Sequence, residues 1–74
     1  MQFYEYKGYI IYPAPHLEIE SGCWRVELAI RSGDSLRKYC PDAIFYTKGE
    51  AVFHAIQYGK RLIDDGVVLF GEAV

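Results

Sequence analysis

The chain has 74 residues, 51% of them hydrophobic and 16% aromatic, with a net charge of −2 from eight basic and ten acidic side chains. That length supports one globular domain, and the missing basic excess argues against a free-standing module that neutralises phosphates. No apolar run is long enough to cross a bilayer and no charged-then-apolar leader opens the chain, so the expected setting is the cytoplasm, away from membrane.

Phe3 to Tyr12 is dense in strand formers around Lys7-Gly8. Either two short strands meet there at a tight turn, or one strand runs through with a bulge at Gly8. Pro13 and Pro15 cannot donate to a ladder, which places their segment on an edge or in a loop. His16 to Glu20 resumes alternation before a Ser21-Gly22 turn. Trp24, Val26, Leu28 and Ile30 then alternate with Arg25, Glu27, Ala29 and Arg31. This pattern predicts one strand with a buried and a wet face. After the turn cluster Ser32-Gly33-Asp34-Ser35, Leu36 to Cys40 reads as the returning strand, ended by Pro41.

Thr47-Lys48-Gly49-Glu50 has the form of a capping box: the Thr47 hydroxyl accepts from the Glu50 N–H while the Glu50 carboxylate reaches the Thr47 N–H. Val52, Ala55, Ile56, Gly59 and Ile63 recur at steps of three and four, and Gly66 suits the left-handed residue past a helix end. The spacing predicts a helix over 47–65 packed on the sheet, with Glu50, His54, Gln57, Arg61 and Asp64 in solvent. Gly59 on the apolar face implies close approach to a bulky side chain such as Trp24, or to a second helix. Phe53 lies off the core direction, to be covered by the apolar Val67–Phe70 tail or exposed as a contact. The tail itself is expected to pair as a strand or to dock on the fold or a partner. The fold class is α+β: a three- or four-stranded antiparallel sheet covered on one face by a single helix.

No constellation spells a reaction. His16, Cys23, Cys40 and His54 number enough for a zinc site, but no two lie within the two to four residues that a tight turn spans. Cys40 with His54 lacks a nucleophile elbow or oxyanion-hole signature. Asp64-Asp65 reads as a polar helix end, and the seven glycines form no phosphate cradle. Cys23 and Cys40 are expected as reduced, small apolar residues, with a 23–40 disulfide as the alternative. No cofactor, metal or catalytic residue is expected.

Tyr6-Lys7-Gly8-Tyr9-Ile10-Ile11, Trp24-x-Val26, Phe45-Tyr46-Thr47-Lys48-Gly49-Glu50-Ala51 and Tyr58-Gly59-Lys60-Arg61-Leu62-Ile63-Asp64 together carry a likeness. Over residues 3–66 the chain resembles small stand-alone proteobacterial proteins of unknown function. A looser likeness, of layout only, is to HicB-type antitoxin domains. Neither implies catalytic residues.

The expected function is non-catalytic: binding or regulating another protein, with self-association of the chain. Seven tyrosines exceed what one small core holds, and a chain of this size buries only about 60% of its unfolded surface. The expected contact residues are Arg25, Arg31, Arg37, Phe53, Tyr58, Arg61 and Phe70. Two other readings stand beside this one. The first is a nucleic-acid module using Arg25, Arg31, Arg37 and Lys38 with stacking tyrosines. The second is a phage-type inhibitor of a host protein complex.

Overall fold

Lys7 and Gly8 both take left-handed backbones, with φ of 51° and 86°, in the computed structural model, which describes residues 2–66. Two successive positive φ values make a type I′ turn, whose twist matches that of paired strands. It joins β1 (Tyr4–Tyr6) to β2 (Tyr9–Pro13), with Tyr6 opposite Tyr9 and Tyr4 opposite Ile11. Of the two sequence alternatives, the hairpin is therefore the one formed.

The chain continues through β3 (His16–Glu18), β4 (Cys23–Arg25), β5 (Leu28–Ser32), β6 (Ser35–Tyr39), β7 (Ile44–Phe45) and α1 (Lys48–Asp64). The strands form two antiparallel sheets, β1-β2-β5-β6 and β3-β4-β7, and together with the one helix among the described residues the layout is α+β. The two sheets share a ladder. Ile10 faces Arg31, Pro13 faces Leu28, His16 faces Arg25 and Glu18 faces Cys23, all in one register. Between the two halves the Ala14 N–H donates to the Glu27 carbonyl at 2.8 Å.

The single strand expected from Trp24 to Arg31 is thus corrected to two, β4 and β5, which keep their partner but change their outer neighbour. Val26 makes the switch, donating its N–H to the Ala43 carbonyl at 3.0 Å. The prolines are also partly corrected. Pro13 ends β2, an inner strand, while Pro15 precedes the edge strand β3. Because Ala14 bonds to Glu27, the nitrogens of its two neighbours face away from β4 and β5, so neither costs a bond of the shared ladder.

Ile11, Val26, Leu28, Ile30, Ala51 and Ala55 form the buried core. The helix face differs from the sequence reading. Its buried line is Ala51, Ala55 and Gly59, while Val52, Ile56 and Ile63 are only half-buried on its flanks. Small residues lead because the helix lies close: a Cβ on Gly59 would meet three side-chain carbons of Ile11 at 3.0–3.2 Å. The bulky neighbour is therefore Ile11, not Trp24. Close packing against the chain's own sheet accounts for the glycine without a second helix.

Thr47 caps the helix, its Oγ1 accepting from the Glu50 N–H at 3.1 Å. The second half of the expected box differs, since the Glu50 carboxylate accepts from the Thr47 hydroxyl at 3.1 Å and not from its N–H. At the other end Gly66 has the expected left-handed backbone, with φ 72°, and its N–H donates to the Ile63 carbonyl. Asp64 then does more than end the helix. It accepts from the Lys7 ammonium at 2.7 Å and from the Tyr6 hydroxyl at 2.9 Å, tying the first turn to the last turn of α1.

Candidate protein-binding surface

Register fixes which side chains lie on each face of the four-stranded sheet. Ile11, Leu28 and Ile30 face the helix, so Ile10, Tyr12, Ala29, Arg31, Leu36 and Lys38 lie on the opposite face. No described element packs over that second face. It is nonetheless apolar at its centre. Ile10, Tyr12 and Ala29 are half-buried by one another, and Leu36 is 54% exposed. The Phe3 ring lies 6.1 Å from that of Tyr12 and extends the apolar strip toward β1.

Arg31 lies across this face in a fixed pose. Its Nε donates to the Gly33 carbonyl at 3.0 Å and an Nη reaches the Tyr12 hydroxyl at 3.4 Å. Gly33 accepts because it opens the β5–β6 turn with φ 60°, which turns its carbonyl toward the strand. Beside Arg31, a shallow cleft of about 520 Å³ is lined by Tyr12, Pro13, Ala14, Ala29, Asp34 and Leu36. A cation, a carboxylate and a phenol thus rim an apolar floor, an arrangement suited to binding and lacking any base–nucleophile pair.

A smaller cleft, about 180 Å³, lies between the helix and β7. Tyr58 and Arg61 line it with His54, whose ring stacks on Phe45 at a 4.2 Å centroid distance. Phe53 is 57% exposed and meets His54 edge-on. Three of the expected contact residues are therefore neighbours on the helix side.

The others are scattered. Arg25 lies on the outer face of the second sheet, bound through its Nε and Nη2 to the Glu18 carboxylate, and this contact makes the Arg25 guanidinium hold its proton more tightly than usual. Arg37 faces Ile30 and so lies on the helix side of β6, away from Arg31 and Lys38. The four cations proposed for nucleic acid are not one patch. Phe70 lies outside the described residues, as does the tail expected to cover Phe53. Cys23 and Cys40 are unbridged, and Cys40 is exposed and not packed as an apolar residue. Among the described residues no three His, Cys, Asp or Glu side chains gather as a metal site.

The sequence reading missed Ile10, Tyr12, Ala29 and Leu36 as contact residues. The available signal was Tyr9-Ile10-Ile11-Tyr12, a strand apolar on both alternations in a fold with one helix to cover one face. Comparison with protein-family models, curated proteins and solved structures finds no match for the chain. The reading of the surface rests on its geometry.

Proposed function

We propose that the chain is a small, non-catalytic protein-binding module of the cytoplasm, whose partner seats on the uncovered face of β1-β2-β5-β6. The observation that carries this is a sheet with two apolar faces and one described helix. The helix lies on Ile11, Leu28 and Ile30, which leaves Tyr12, Ala29 and Leu36 to water. An exposed apolar strip with a charged rim is the usual form of an interaction site. Inhibition of a host complex by a phage protein would be one instance of such binding.

The test uses Ala29→Glu and Tyr12→Ser, which alter the face without touching the buried core. A partner captured from cells that make the protein is purified and titrated against each chain by calorimetry. Both variants should keep the wild-type circular dichroism and bind at least tenfold more weakly. Equal binding by these variants, with loss on Phe53→Ser or Arg61→Glu, would move the site to the helix-side cleft.

A further inference from the structure

The β6 edge has a pattern that fits a second copy of itself. In the β5–β6 hairpin, Ser32 faces Ser35, Ile30 faces Arg37 and Leu28 faces Tyr39. A two-residue turn makes its flanking pair a hydrogen-bonded one, so Ser35, Arg37 and Tyr39 turn their backbone groups toward β5. Leu36 and Lys38 therefore present N–H and C=O groups outward. No described strand pairs with that edge. Unpaired groups in a row are a template for another strand.

We propose that two copies of the chain pair β6 to β6 antiparallel, about a two-fold axis through Leu36. This register sets Leu36 against Leu36 of the second copy, both on the uncovered face. Asp34 lies in the β5–β6 turn, one residue before β6, so this register brings it beside Lys38 of the other copy at each end of the paired segment, giving two symmetric opposite-charge contacts around an apolar centre. Among the described residues neither Asp34 nor Lys38 has an ion-pair or hydrogen-bond partner of its own. The next register with matching faces has its axis at Arg37 and would oppose one guanidinium to another, which like charges disfavour. In the proposed register Arg37 faces Ser35.

The other edges fit less well. A copy centred on β1 would oppose Glu5 to Glu5, while β3 and β7 have only three and two residues. A two-fold pairing closes on itself, so it yields a dimer and not a fibre. The result is an eight-stranded sheet in which the two uncovered faces become one continuous surface. The inference does not depend on the protein partner proposed above, and partner binding and dimer formation are read separately.

The experiment is sedimentation velocity on the full chain, with single and paired charge changes. Wild type should sediment as a dimer at high micromolar concentration. Lys38→Asp and Asp34→Lys should each weaken the dimer at least tenfold, and the double variant should restore it. With both native cysteines changed to serine, Leu36→Cys should form a dimer disulfide under oxidised glutathione. Opposed Cα atoms in such a pair lie about 5.5 Å apart, within disulfide reach. Arg37→Cys should crosslink far less, and preferential crosslinking there would establish the other register and overturn the proposal. A full chain that stays monomeric would do so too, leaving Lys38 as a charge that keeps the edge unpaired. A dimer indifferent to the charge changes would place the contact elsewhere.

Discussion

Gly59 shows how one missing methyl sets the distance between helix and sheet. Alanine there gains about 1 kcal/mol of helix propensity, but its Cβ would press on three carbons of an Ile11 side chain with no exposed surface. Because the whole branch has to move, Gly59→Ala should be destabilising on balance, in the range of about 1–3 kcal/mol seen for overpacking. Ile11→Val, which costs about 0.5–1.5 kcal/mol alone, should cost less in the Gly59→Ala background. Urea midpoints of the four chains give that coupling, and strict additivity would mean the two residues do not touch. Thr47→Ala should cost about 1 kcal/mol by the same measurement, because it removes the acceptor for the Glu50 N–H. The cap was legible in the sequence because it depends on residues three apart. The partner of Gly59 was not, because Ile11 lies 48 positions away and only the folded register brings it there.

Elements were legible where local pattern decided them and misread where a neighbour did. The 47–65 helix and the 24–31 alternation are both present, yet the buried line of the helix runs through Ala51, Ala55 and Gly59. Hydrophobicity favours Val52 and Ile56, whereas close packing favours small side chains. The division of β4 from β5 leaves no mark in the alternation, since it depends on which strand lies beside Val26. The link between the first hairpin and the helix end is also tertiary, and it predicts a pH effect. The Asp64 carboxyl is held below its ordinary value of 3.8, first by the hydrogen bond from Lys7 and then by that from Tyr6. The unfolded chain therefore takes up this proton before the folded one as pH falls. The stabilisation is complete above the ordinary value and is lost as pH drops through the lowered one. In chemical unfolding from about pH 5 to pH 2, Asp64→Asn should start less stable than wild type and converge with it. A constant offset across that range would mean that Asp64 titrates alike in both states. Lys7 is raised above 10.5 by the same contact, so its share of stability persists to high pH and fades as pH rises through the raised value.

At the scale of the whole molecule, the α+β class was legible in the order of strand and helix patterns, whereas the surface depended on where eight cations finally lie. Lys7 is bound to Asp64, Arg25 to Glu18, and Arg31 to the Gly33 carbonyl. Lys48 sits 5.8 Å from the Trp24 ring and Lys60 4.6 Å from that of Tyr4. Arg61 lines the helix-side cleft, Arg37 lies on the helix side of β6, and Lys38 is on the uncovered face. No face collects enough of them to follow a phosphate backbone, and the net charge of −2 opposes a polyanion at long range. Fluorescence anisotropy with single- and double-stranded oligonucleotides should therefore show no binding at physiological salt. Lowering the salt should add little, since few phosphates would be neutralised at once. The informative variant is Arg31→Glu, because Arg31 is the cation that reaches the Tyr12 hydroxyl on the uncovered face. Micromolar binding that falls steeply with salt and vanishes in Arg31→Glu would make the strip of Phe3 and Tyr12 a platform for stacked bases. Retention of that binding in Arg31→Glu, with loss in Arg61→Glu, would place the nucleic acid at the helix-side cleft and leave the uncovered face to protein.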